Sequence, residues 1–254
     1  MLPETMPVCP VRGSVIYPTM VMPIDAGRPI SIRAIDEALA RDRVLLIVSQ
    51  RDKEVETPRP SDLFEVGTAC NILKMRKNPD GSVQVLVQAF ARVRVMEWLD
   101  LGDHLEARGE VLADEPGEPI LVKALVREVK DKFQALLKEG KYLAPEVAQF
   151  ILNLEDPSQL ADYVAFHMDF RLEDKQKVLE TANVAERLRA VLVLLEAELA
   201  LIETQRRIQQ QVKEEIDRNQ REYFLREQMK AIQRELHGEE GEQEVEEFRR
   251  KLEA

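Results

Sequence analysis

The chain has 254 residues, of which 44% are hydrophobic, 33% charged and 5% aromatic. That apolar content suits one large or two small domains with real cores, and it excludes a disordered chain or a β-sandwich dense in tyrosine and tryptophan. The net charge is −11, with 14 basic and 18 acidic side chains up to Gly117 and 22 and 29 after it, so neither part carries the basic footprint that a phosphate backbone requires.

Cys9 and Cys70 are too few for a disulfide scaffold and lack metal-ligand spacing, so they read as small core thiols in a reducing compartment. No stretch approaches the roughly 20 apolar residues of a membrane span. The start, Met1-Leu2-Pro3-Glu4-Thr5, has no basic segment followed by an apolar run. A soluble cytoplasmic protein is expected.

Glycine and proline divide the chain. Of these 23 residues, 17 lie at or before Gly117, and none falls between Ser158 and His237. Because both punctuate turns and break helices, the front reads as strands and turns and the back as long helices. The strands expected are Val8–Val11, Val21–Ile24, the continuous apolar run Val44–Val48, a strand around Cys70–Met75, the alternating Val83, Val85 and Val87, the alternating Val93 and Val95, and Leu105–Leu112. Asn78-Pro79-Asp80-Gly81 is a hairpin turn. Ile32, Ile35 and Leu39 recur at helical spacing and place one helix among the strands. Many short strands with one inserted helix suggest a small closed or nearly closed barrel.

Asp114 to Pro119 is the expected joint. Behind it, Leu121, Leu125, Val129, Phe133 and Leu136 share one side of a helix over 120–138. Helices follow around 146–154, 158–167 and 173–181, with Pro145 and Pro157 in first turns and Asp156 as an N-cap. From about Asn183 to His237 one helix is expected. Leu188, Val191, Leu192, Leu195, Leu199 and Ile202 give its first half a core-facing side. Its second half is polar, with Ile208, Val212 and Ile216 at intervals of four. Such a helix projects into solvent or pairs with other helices. The class is α+β, in three parts: 1–117, 118–200 and 201–254.

The motifs of familiar enzyme chemistry are missing. Gly140-Lys141 is followed by Tyr142 and lacks the upstream glycine of a phosphate-binding loop, and no Gly-x-Ser-x-Gly elbow occurs. His104, His167 and His237 fall in different elements, and His167 with Asp169 has no third metal ligand. The carboxylates read as solvated helix faces. No catalytic, cofactor-binding or metal residue is therefore assigned. Two candidate binding segments remain. Ile16, Tyr17, Met20 and Met22 lie in a Met-rich, proline-bounded stretch. As core they would fill the barrel; as a surface loop they would form an adaptable apolar patch. Tyr223, Phe224, Leu225, Met229 and Ile232 are large apolar residues on a polar rod, the mark of a helix–helix contact.

Both segments carry a resemblance. Pro10-Val11-Arg12-Gly13-Ser14-Val15-Ile16-Tyr17-Pro18, followed by Pro23-Ile24-Asp25-Ala26-Gly27-Arg28-Pro29, resembles the opening of Lon-family ATP-dependent proteases. The run from Arg218-Asn219-Gln220-Arg221-Glu222-Tyr223-Phe224-Leu225 through Met229 and Ile232 resembles the Lon segment just ahead of the ATPase module. Gln88-Ala89-Phe90 departs from the pattern, which leads one to expect a glycine-containing turn there. The resemblance implies a PUA-like barrel subdomain, a helical bundle, and a last helix running toward an ATPase module that this sequence does not contain. It implies a truncated amino-terminal region that catches unfolded or misfolded proteins and helps assemble a homo-oligomeric, usually hexameric, ring. ATP, magnesium and a Ser-Lys dyad are implied for the parent enzyme only. The competing reading is a free-standing PUA-like and coiled-coil scaffold or RNA binder. Fold alone does not decide between them, and the acidic balance speaks against nucleic acid. Lys74, Arg76 and Lys77 read as a solvated strand edge.

Overall fold

The computed structural model describes residues 2–139, 143–236 and 247–252. His237 and Gly140-Lys141-Tyr142 lie outside the described residues. The front of the chain forms β1 (Met6–Val11), β2 (Val21–Ala26), α1 (Pro29–Ala40), β3 (Val44–Ser49), β4 (Val66–Lys77), β5 (Val83–Asp100) and β6 (Leu105–Val111). The back forms α2 (Pro119–Glu139), α3 (Pro145–Leu152), α4 (Pro157–His167), α5 (Leu172–Glu180) and α6 (Val184–Leu236). The fold is therefore α+β.

The sheet is mixed, in the order β2-β5-β4-β3-β1-β6, with β5 also paired to β6. Pairings thus lead from β1 through β3, β4, β5 and β6 back to β1, but the β1–β6 side holds only Met6–Ala107, Pro7–Glu106 and Val8–Leu105. The barrel is short and partly open there, and β2 is added outside the ring on the first half of β5. Pro23 sits on this outer strand, where its missing N–H costs no ladder bond.

The continuous apolar run of β3 has a direct cause. Leu45 and Ile47 point into one apolar cluster with Cys9, Cys70, Ile72, Val83, Val85 and Val87, while Val44, Leu46 and Val48 point into a second with Met6, Val8, Val93, Val95 and Leu105. A strand buried on both faces cannot alternate. Helix α1 covers the first cluster with Ala34, Ile35 and Ala38.

Strand β5 shows what alternation hides. Val83, Val85, Val87 and Ala89 before Phe90 and Val93 and Val95 after it are all odd-numbered and buried, yet the first four enter the first cluster and the last two the second. One extra residue reverses the faces. Cys70 pairs with Ala89 and Ala69 with Ala91, so Phe90 is unpaired between them. The strand bends through this bulge, where a glycine turn was expected. The Asn78–Gly81 turn forms as expected: Asn78 N donates to Ser82 O at 2.9 Å, and Gly81 takes φ +86°, which a side chain rarely permits.

Contacts divide the chain after Leu199 into two compact units. The joint at Asp114–Pro119 lies inside the first, which holds the barrel, α2 to α5 and the start of α6. Leu125, Val129, Phe133 and Leu136 are the buried side of α2. Asp156 caps α4, its carboxylate accepting from Gln159 N at 2.8 Å. Leu188, Val191 and Leu195 carry α6 into the bundle core. In the second unit, Ile208, Val212, Ile216, Tyr223, Phe224, Leu225, Met229 and Ile232 are all exposed.

Candidate functional site

Of the first candidate segment, Ile16, Tyr17 and Met20 are buried and Met22 is half-buried against the first apolar cluster. They do not form a surface patch; three of the four are interior. The segment is tied down at Ile16 and Tyr17. Thr68 Oγ1 donates to Ile16 O at 2.5 Å, and Tyr17 Oη donates to the Lys175 carbonyl of α5 at 2.8 Å. Burial raises the Tyr17 phenol well above its usual range. The loop fills the seam between sheet and helices, and its methionines serve as packing.

The surface of the barrel instead carries apolar side chains at its irregularities. Three register shifts leave Leu73, Phe90 and Met96 without a cross-strand partner. They are 42%, 39% and 64% exposed, far more than the apolar residues beside them. Sequence reading missed them, although a signal is present. Ile72-Leu73, Ala89-Phe90 and Val95-Met96 are apolar doublets inside alternating strands, and a doublet forces one member outward or bulges the strand.

Behind Phe90 lies a buried ionic cluster, which corrects the reading of the carboxylates as solvated faces. Arg92 Nη2 of β5 donates to both oxygens of Asp162 of α4, at 2.5 and 2.6 Å. Arg92 Nη1 reaches Asp114 at 3.2 Å, and Arg187 of α6 reaches Asp114 at 2.7 Å and Ser158 Oγ at 2.6 Å. Ser158 also donates to Asp114. Burial pushes the Asp162 carboxyl up to about 6, against the pull of Arg92 and Arg187. Burial acts the same way on Asp114, but hydrogen bonds from Arg187 and Ser158 and the two guanidinium charges outweigh it, holding that carboxyl below its ordinary value. The cluster clamps barrel to bundle.

The remaining polar candidates are structural. His104 Nδ1 lies 2.6 Å from Asp103 and Nε2 3.2 Å from Glu106, which in turn pairs with Arg41 at 2.7 Å. His167 is half-buried and stacks on Tyr163, and burial lowers its pKa. Among the described residues, no cluster of three or more His, Cys, Asp or Glu side chains could hold a metal ion. Cys9 and Cys70 are free and buried, and burial pushes the Cys9 thiol up to about 11. Lys74, Arg76 and Lys77 are exposed at the end of β4. No described helix is long and apolar enough to cross a membrane.

With this geometry in place, the similarities are specific. The family model of the ATP-dependent protease La (LON) substrate-binding domain matches residues 5–197. Lon protease of Escherichia coli K12 is 41% identical over 230 residues, covering 91% of this chain and 29% of that protein. Lon protease 1 of Thermus thermophilus is 43% identical over 254 residues, covering 98% of this chain and 32% of that protein. This chain thus spans about a third of the length of the curated relatives it matches. The solved N-terminal domain of Mycobacterium avium complex Lon protease aligns with TM-score 0.64 and 26% identity, over 76% of this chain and 98% of that one. A Lon N-terminal domain protein from Xanthomonas campestris aligns with TM-score 0.51 at 12% identity, over 74% of this chain and 97% of that one, and is alike in fold alone.

Proposed function

The chain belongs to the Lon substrate-binding domain family, and on that premise we propose that it captures unfolded or damaged polypeptides through exposed apolar side chains for an ATP-dependent Lon serine protease. The observation that carries the reading is the exposure of Leu73, Phe90 and Met96 at the bulges of the barrel. An unfolded chain displays apolar segments that a folded one hides, so apolar contacts of this kind select by exposure without reading a sequence. Each contact alone is weak. Several copies in a ring raise the effective concentration and supply retention.

The second part of the proposal is assembly. Tyr223, Phe224, Leu225, Met229 and Ile232 present apolar surface on a helix otherwise rich in Gln, Glu and Arg. Paired helices from other copies would bury it and bring capture surfaces together. The parent's unfolding and cleavage, with ATP, magnesium and a Ser-Lys dyad, and its place in the cytoplasm are part of the same reading.

A salt titration tests the capture reading against RNA binding. Affinity for a chemically unfolded protein is expected to hold between 50 and 500 mM salt, because apolar contacts involve little counterion release. Affinity only for RNA, falling steeply with salt, would overturn the reading in favour of a nucleic-acid scaffold.

A further inference from the structure

Barrel and bundle do not meet flush. Beside the Arg92–Asp162 pair lies a cavity of about 320 Å³, lined in part by Thr19, Phe90, Val111 and Leu112. Asp114 and Asp156 also line it. Phe90 lines the cavity as the extra residue of the β5 bulge. The loop end is fastened against the same spot: Thr19 N donates to Ala89 O at 2.9 Å and Ala89 N to Met20 O at 2.8 Å. Thr19 is held at φ +68°, a left-handed conformation that a β-branched residue adopts only when its surroundings impose it. Arg92, also in the lining, is 4% exposed, and its Nε is buried with no hydrogen-bond partner among the described residues. The lining carries three carboxylates, Asp114, Asp156 and Asp162; Arg92 and, behind the lining, Arg187 pair with Asp114 and Asp162, which leaves Asp156 without a guanidinium partner among the ion pairs of this cluster.

We propose that this cavity is a peptide subsite that takes one large apolar side chain of an extended polypeptide carrying a basic residue beside it. The proposal rests on the reading of the chain as a capture domain and gives that capture an address and a chemistry. Phe90, Val111 and Leu112 supply the apolar walls, and an aromatic edge beside aliphatic groups suits a leucine- or phenylalanine-sized side chain. The remaining carboxylate, Asp156, favours a neighbouring lysine or arginine.

The test is fluorescence anisotropy of the full chain with a labelled heptapeptide holding one central leucine flanked by two lysines, beside versions with serine for leucine and with glutamates for the lysines. Each change in the peptide is expected to weaken binding about tenfold, as are Phe90→Ala and Val111→Ser in the protein. Both protein positions are exposed enough that melting should stay near that of the parent. Unchanged affinity for both variants, or equal binding of the glutamate peptide, would overturn the subsite. A chemically unfolded protein is titrated in parallel. Unchanged capture of it by both variants, together with unchanged peptide affinity, removes the subsite and leaves the capture reading standing. Failure of the parent chain to bind either probe overturns both.

Discussion

Arg92 and Asp162 meet in a fully buried ion pair in which one guanidinium nitrogen lies 2.5 and 2.6 Å from the two carboxylate oxygens. One residue belongs to the barrel and the other to the bundle, and Arg187 lies behind them at 3.9 Å from Asp162. A buried pair of this kind adds little over an apolar replacement, but removing one partner strands the other's charge. Asp162→Asn is therefore expected to lower stability by about 3–5 kcal/mol, and the double variant Arg92→Met/Asp162→Leu by clearly less than Asp162→Asn alone. Urea denaturation of the variants checks this. Equal losses would mean that the pair is not the clamp.

The same carboxyl gives a pH signature. With Asp162 raised to about 6, the folded chain binds that proton more tightly than the unfolded chain, so its contribution to stability grows as pH falls from above 6 toward the ordinary carboxylate range near 4. Asp114 and Glu106 are lowered instead. Their contribution is present above the ordinary carboxylate value and is lost as pH falls through their folded values. Melting temperature should thus hold level or rise between pH 7 and 5 and fall below about pH 4. His167, lowered by burial, loses stability as pH falls through the ordinary imidazole range and opposes Asp162 there, so Asp162→Asn should turn the level or rising stretch into a decline; a profile unchanged by that substitution would contradict the assignment.

The interior position of the loop before β2 reverses what a methionine-rich surface would do. Met20 is 4% exposed, so Met20→Ser is expected to cost about 2–5 kcal/mol in stability. The exposed pair Leu73→Ser/Met96→Ser should instead leave stability within about 1 kcal/mol and weaken capture of an unfolded protein severalfold. Chemical denaturation and binding measured side by side distinguish the two. Loss of capture with intact stability in Met20→Ser would restore the loop as the contact surface.

Much of this fold is legible in the residues. The Gly and Pro distribution separates strands from helices, Asp156 announces its cap, and the side of α2 that faces the core follows from its spacing. The binding surface is not legible in the same way. Val83 to Val87 and Val93 with Val95 read as two alternating strands with a turn between them, whereas β5 runs through both and the residue inserted at Phe90 reverses the faces without disturbing the odd-numbered valines. Ile16, Tyr17 and Met20 are as apolar in a loop as on a surface, and only the bonds from Thr68 and to Lys175 decide where they lie. Asp162 reads as one more carboxylate on an amphipathic helix, because its partners are 70 residues upstream in Arg92 and beyond α5 in Arg187.

The distal helix carries a prediction of its own. If Tyr223, Phe224, Leu225, Met229 and Ile232 pair with other copies, then Phe224→Ser/Met229→Ser should shift the mass of the chain toward that of a monomer without altering its thermal melting. Analytical ultracentrifugation over a concentration series reads this. A mass that is independent of both the substitutions and the concentration would place assembly elsewhere.

The most direct measurement is light scattering of the purified chain, alone and mixed with the chemically unfolded and the native form of one test protein. Co-elution with the unfolded form only is the predicted result. Co-elution with both forms, or with neither, would contradict capture by exposed apolar side chains.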